Sequence, residues 1–147
     1  EIKNHCSNLE GIDLSNEMLK RAREKGVYKK LTQANIEEYL ADMPLDFDCF
    51  ISADVFVYVG DLSNVFRLIR SRNKRAGKLV FTTEHSEEMG FHLLRSGRYS
   101  HSKNYIEDLC NQFGYKLSHF SKADLRKEKE NIITGGLYVL DFNPNIL

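Results

Sequence analysis

The sequence predicts an α/β fold in which a mostly parallel sheet is covered by helices and closed by an antiparallel hairpin at its C-terminal end. Short apolar segments alternate with amphipathic ones from residue 9 to residue 114, the rhythm of strand-helix units whose apolar faces must meet. Start and stop residues bracket the amphipathic segments: Ser15, Asp61 and Ser102 precede them, and Gly26 and Gly114 follow two of them. After Gly114, two strand-like runs succeed one another with no long helix between them, which favours antiparallel pairing.

Leu9 to Leu14 reads as a short strand, and Ser15 caps a helix that runs to about Lys25. Glu17 near its start and Lys20, Arg21, Arg23 and Lys25 toward its end suit the helix dipole, and Gly26 ends it. Leu31 to Ala34 is a brief strand, followed by a helical turn at Ile36 to Leu40 and a loop at Asp42-Met43-Pro44. Phe47 to Val55 holds the clearest buried strand, because Cys49-Phe50-Ile51-Ser52-Ala53 is too apolar throughout for a half-exposed edge. Asp61 caps the next helix, in which Leu62, Val65, Phe66 and Ile69 form one apolar face, and the basic tail Arg70, Arg72, Lys74 and Arg75 is its solvated end. Ala76-Gly77 turns the chain into the strand Leu79 to Thr83. A long irregular stretch, Glu84 to His101, follows, and loops of that length are uncommon unless functional. Ser102 caps a helix whose Ile106, Leu109, Cys110 and Phe113 share a face. Tyr115 to Ser121, a charged turn around Arg126 to Asn131, and Leu137 to Phe142 make the hairpin. The sequence has no internal repeat and no low-complexity segment.

At 147 residues the chain fits one domain, and 41% hydrophobic residues are enough to bury a core. Twenty-one basic residues balance 21 acidic ones, so no overall field favours phosphate backbones or anionic membrane surfaces, and no nucleic-acid partner is expected. The longest apolar runs, such as Cys49 to Ala53 and Val55 to Val59, fall far short of the ~20 residues of a spanning helix, so no membrane partner is expected either. Cys6, Cys49 and Cys110 are widely spaced and lack a C-x-x-C pairing, which fits a reducing, cytoplasmic setting and no metal site. Cys49 and Cys110 lie inside apolar patterns and are expected to be small buried hydrophobes.

Open α/β sheets bind ligands beyond the carboxyl ends of their strands, so the residues that follow each strand are the candidates. Asp13 is the first: a carboxylate there can accept both hydroxyls of a ribose, although the same residue can serve as an ordinary turn or cap. Gly11-Ile12-Asp13-Leu14-Ser15, with Met18-Leu19 and Ala22 after it, resembles the acidic-loop motif of class I S-adenosylmethionine-dependent methyltransferases. Gln33-Ala34-Asn35-Ile36 resembles their adenine-side motif, and Phe47-Asp48-Cys49-Phe50-Ile51-Ser52-Ala53-Asp54-Val55 their fourth-strand motif. Ser52 to Leu62 together with Ser96-Gly97-Arg98-Tyr99-Ser100-His101-Ser102 is similar to the bacterial group of these enzymes often fused to tetratricopeptide repeats.

The resemblance implies a Rossmann-like sheet and S-adenosyl-L-methionine as cofactor. In it Asp13 would hold the ribose, Leu14 and Met18 would flank the adenine, and Asn35 with Ile36 would read the adenine edge. Ser52 and Ala53 would lie under the methionine portion. The family's first strand and its G-x-G-x-G loop would precede Glu1, so residues 1–147 are expected to be the C-terminal greater part of a single methyltransferase domain, lacking the first strand. Exposed sheet edges in such a chain would favour self-association.

Methyl transfer from a sulfonium is an in-line displacement, for which positioning and water exclusion can carry much of the acceleration. The stretch after Thr83 should form the acceptor pocket for a small molecule or a protein. Arg98, Tyr99 and His101 are its most chemical members: Arg98 could hold an acidic acceptor and His101 could take a proton, or the three could pin the loop. Two other readings stand beside this one. A catalytically inactive binding module could keep the fold, and an acid such as Asp13 could serve NAD in an oxidoreductase, against which the closing antiparallel hairpin argues.

Overall fold

The computed structural model describes residues 5–128 and 131–144. The chain divides into two compact units, residues 1–43 and 44–147.

In the first unit, strand β1 (Glu10–Asp13) pairs in parallel with β2 (Lys30–Gln33), which sets Asp13 opposite Gln33. Helix α1 (Asn16–Glu24) makes the crossover between them. It starts where Ser15 Oγ accepts the Met18 N–H at 3.3 Å, and its buried Leu19 anchors it. Gly26 then turns with φ +62°, a left-handed conformation that a side chain would oppose. Helix α2 (Ile36–Asp42) follows β2, with Asn35 as its cap: Asn35 Oδ1 accepts the Glu37 N–H at 2.8 Å. Tyr39 donates from α2 to the Glu10 carboxylate at 3.2 Å. Burial first, and then the charge of Glu10, push the Tyr39 hydroxyl up to about 12.

In the second unit, β3 (Cys49–Ser52) leads through a 3-10 turn (Phe56–Tyr58) into α3 (Ser63–Arg72) and β4 (Gly77–Ser86). A short β5 (Phe91–Leu93) and β6 (Tyr99–Ser102) run directly into α4 (Lys103–Phe113), and β7 (Tyr115–Glu128) and β8 (Asn131–Phe142) form the hairpin. The sheet is organised around β4. One edge of β4 pairs antiparallel with β8 along Gly77 to Glu84. Its other edge is shared by two parallel partners, β3 against Lys78 to Phe81 and β6 against Glu84 to Ser86. The hairpin partners β5 and β7 then extend the sheet outward from β6 and β8.

Helix periodicity supplies the core of this unit. Val65, Phe66, Leu68 and Ile69 of α3 and Ile106, Leu109 and Cys110 of α4 are buried, together with Leu79 and Phe81 of β4 and Tyr138 and Leu140 of β8. Phe81 stacks on Tyr138 at 5.0 Å and meets Phe66 edge-on at 5.9 Å. Burying each large apolar side chain stabilises the fold by ~1.5–3 kcal/mol.

The expected α/β architecture, its caps at Ser15 and Ser102, its stop at Gly114 and its closing hairpin are all present. Five expectations need correction. The segment Glu84 to His101 is not irregular: β4 runs on to Ser86, and β5 and β6 form a hairpin beyond it. Ser100 and His101 read as part of a polar loop, yet pairing with β4 satisfies their backbone and buries both together with the cap residue Ser102. The strand expected over Phe47 to Val55 covers only Cys49–Ser52, and it is not buried on both faces, since Ile51 is 52% exposed. Cys49 is likewise exposed, because it shares the outward face with Ile51, whereas Cys110 is buried as expected. Helix α3 begins one residue later than a cap at Asp61 implies, although Asp61 Oδ1 still accepts the Ser63 N–H at 2.9 Å. Finally, of the charged turn expected around Arg126 to Asn131, Arg126 to Glu128 instead continue β7 and Asn131 begins β8, while Lys129 and Glu130 lie outside the described residues.

Candidate functional site

Asp13, Leu14, Met18, Asn35 and Ile36 belong to the first unit and gather at the carboxyl ends of β1 and β2. Hydrogen bonds within the loop and to the end of β2 shape it. Asp13 Oδ1 accepts the Ser15 N–H at 2.7 Å, Asp13 O accepts the Ala34 N–H at 3.3 Å, and Gln33 Nε2 donates to Leu14 O at 3.0 Å. Asp13 Oδ2 is left without a hydrogen-bond partner among the described residues. Leu14 is 67% and Met18 50% exposed beside it, apolar surface that the unit itself does not cover. A cavity of 280 Å³ opens along Gly11, Asp13, Met18 and Tyr28. Asn35 spends one lone pair of Oδ1 on the cap of α2, which leaves its second lone pair and its amide group, while the Ile36 N–H is one of the first-turn donors that a helix cannot satisfy itself.

Ser52, Ala53, Arg98, Tyr99 and His101 belong to the second unit. Ser52 ends β3 at 7% exposure, and its Oγ is buried without a hydrogen-bond partner among the described residues, while Ala53 is exposed. The chain then passes through the 3-10 turn, which is nailed down by Phe56 and Val57, both fully buried. Arg98, Tyr99 and His101 all reach the end of that turn, residues 58–60. The Arg98 guanidinium lies 5.7 Å from the Tyr58 ring centre, with Nη2 3.4 Å from the Tyr58 hydroxyl. The Tyr99 ring packs so closely on Gly60 that a Cβ there would stand 2.8 Å from Tyr99 Cε1.

His101 is fully buried, with Nε2 at 3.0 Å from Val59 O and 2.9 Å from Gly60 O. Two carbonyl acceptors assign the proton to Nε2, which donates to both, and Nδ1 has no hydrogen-bond partner among the described residues. Burial pulls the imidazole below its ordinary value, against the opposing effect of the two carbonyl contacts, so the ring is neutral at pH 7.

Sequence reasoning missed Tyr105, two positions into α4. Its hydroxyl donates to Asp61 Oδ1 at 2.9 Å and accepts the Leu62 N–H at 2.8 Å. Burial pushes this hydroxyl well above the usual phenol range. It also missed the charged bridge from Arg126 to Asp54 and Glu84. No local signal marks either, since their partners lie 42 to 72 residues away. Among the described residues, no group of three or more His, Cys, Asp or Glu side chains is placed to hold a metal ion, and no helix is long and apolar enough to cross a membrane.

Solved structures share this fold. A SAM-dependent methyltransferase from Methanosarcina mazei superposes with a TM-score of 0.71 at 12% identity, covering 97% of this chain and 85% of that one. The N-methyltransferase NodS from Bradyrhizobium japonicum, in complex with S-adenosyl-L-homocysteine, gives 0.70 at 18% identity, covering 97% and 69%. The cyclase SpnF gives 0.73 at 11% identity, covering 97% and 68%. At these identities the likeness is one of fold, and a cyclase among the neighbours shows that the fold admits more than one reaction. A comparison with curated proteins finds no match. A family model described as a methyltransferase domain matches residues 1–81, more than half of the sequence, and the chain belongs to that methyltransferase domain family.

Proposed function

We propose that this chain binds S-adenosyl-L-methionine and transfers its methyl group to a small-molecule or protein acceptor. The observation that carries the reading is the Asp13 loop: a carboxylate with one oxygen open, flanked by the exposed side chains of Leu14 and Met18 at the carboxyl end of a parallel strand. Asp13 Oδ2 would accept from the ribose, Leu14 and Met18 would sandwich the adenine, and Asn35 with the Ile36 N–H would meet its edge. Ser52 and Ala53 would meet the methionine portion, and the orphaned Ser52 Oγ fits a polar ligand. A neighbour of this fold, NodS, holds S-adenosyl-L-homocysteine, which supports the choice of cofactor.

Bound S-adenosylmethionine supplies an electrophilic methyl group. The chain's own residues then orient an acceptor and exclude water. Arg98 and Tyr99 stand at the turn after Ser52-Ala53, where Arg98 offers a positive charge to an acidic acceptor. His101 acts one step back: with Nε2 committed to two carbonyls, it is a positioning residue that holds residues 59–60 in place. Titration calorimetry with S-adenosylhomocysteine tests the reading. Binding by the wild type and its loss in Asp13→Ala are expected, and equal affinity in the two removes Asp13 from the site.

A further inference from the structure

Asp54 follows Ser52-Ala53 directly, and among the described residues it is the only non-glycine residue with a positive φ, at 56°. Aspartate adopts this left-handed conformation more readily than most residues, but it persists only where the surroundings hold it. Here two groups do so. The Asp54 N–H donates to Thr82 Oγ1 at 3.1 Å, and its Oδ1 accepts from Arg126 Nη1 at 2.9 Å. Arg126 lies 72 residues further along the chain, on β7.

The other arm of the same guanidinium is paired with Glu84 at the end of β4. Glu84 is 5% exposed and the Arg126 side chain 18%, so this pair is a built, largely buried feature rather than a solvated contact. β7 shifts register between Asp124 and Arg126, which re-aims the strand at the bridge. Beside it Leu125 covers Gly135 so closely that a Cβ there would stand 2.1 Å from Leu125 Cδ1, and only glycine lets the arm close down. A planar fork can reach two carboxylates at once, which an ammonium does far less well.

We propose that Arg126 is a positioning residue for the cofactor site. By bridging Glu84 to Asp54 it holds the Ala53–Val55 turn in the left-handed geometry that presents Ser52 and Ala53 to the methionine portion of S-adenosylmethionine. The proposal rests on the cofactor reading above and adds to it a residue from the C-terminal hairpin that touches no cofactor itself.

The test is a double-mutant cycle with S-adenosylhomocysteine as the probe: wild type, Arg126→Lys, Asp54→Asn and the double variant, each titrated calorimetrically and each followed by amide hydrogen exchange over residues 53–58. Lysine keeps a cation beside Glu84, and asparagine tolerates the left-handed backbone while leaving the Glu84–Arg126 pair intact, so neither variant strands a buried charge. Each single variant should weaken binding by about tenfold, which corresponds to ~1.4 kcal/mol. The double variant should bind no more weakly than either single one, because both break the same contact, and exchange over 53–58 should rise in all three. Additive losses, or unchanged exchange in Arg126→Lys, would show that Arg126 acts on the sheet through Glu84 and not on the turn, and would overturn the proposal. Equal affinity of wild type and Arg126→Lys overturns it alone. Absence of binding by the wild type overturns it together with the cofactor reading.

Discussion

The Asp13 loop and the turn at residues 53–62 both follow a parallel strand, yet contacts of different range hold them. Around Asp13 the side-chain contacts of Asp13, Ser15 and Asn35 are local, spanning two or three residues, and the neighbouring strand adds Gln33 to Leu14 across 19. Around the 53–62 turn, beside the local Asp61 to Ser63 contact, they are remote. His101 reaches Val59 across 42 residues, Tyr105 reaches Leu62 across 43, and Arg126 reaches Asp54 across 72. The first loop is shaped by its own residues and the end of the neighbouring strand β2, whereas the second is held by β6, α4 and β7 docked around it. The difference predicts which substitutions unfold and which merely unbind.

The largest effect is expected at the remote network. His101→Ala strands the Val59 and Gly60 carbonyls in the core and opens a cavity, which should lower unfolding free energy by ~2–4 kcal/mol in urea titrations. A loss under 1 kcal/mol, on the same scale, would mean that the turn holds itself and would break the contrast. Asp13→Ala should do the reverse. Its carboxylate serves one local N–H and one open side, so S-adenosylhomocysteine affinity should fall ~10- to 100-fold while the urea midpoint barely moves.

Two smaller effects sharpen the comparison. Tyr105→Phe removes the partner of the Leu62 N–H and of Asp61 and should cost ~1–2 kcal/mol, with faster amide exchange confined to the start of α3. Ser15→Ala removes a local cap and should cost ~1 kcal/mol, with the exchange change confined to α1. If either change spreads through the other unit's amides, the two regions are not held independently.

The smallest expected effect is the pH dependence of His101. Its folded-state value is depressed by burial, so the unfolded chain takes up a proton in a range where the folded chain does not. The contribution is complete above the ordinary imidazole value of 6.5 and is lost as pH falls from there through the folded-state value. His101→Gln keeps a donor for the carbonyls but cannot titrate. Stability measured from pH 7.5 down to pH 5 should therefore fall more steeply in the wild type than in this variant, and parallel curves would contradict the depressed value.

Elements whose cause is a short-range pattern were legible in the sequence. Ser15, Ser102, Gly26 and Gly114 mark helix ends through contacts within three or four residues, and Val65-Phe66-Ile69 and Ile106-Leu109-Cys110 mark buried faces through a 3.6-residue period. The Asp13 turn belongs largely to the same class, since Asp13, Ser15 and the cap of α1 shape it, with Gln33 of β2 adding a contact to Leu14. Tertiary structure alone decided the rest. Ser100-His101-Ser102 is a buried strand because β4 offers it an edge, and Cys49 and Ile51 are exposed because pairing along one edge of β3 does not cover its outer face. Asp54, Glu84 and Arg126 meet only after the hairpin folds back on the sheet. Periodicity and capping are properties of neighbours along the chain, so a sequence carries them in plain view. A hydrogen bond across 72 residues has no local cause, and nothing short of the closed sheet brings its two ends together.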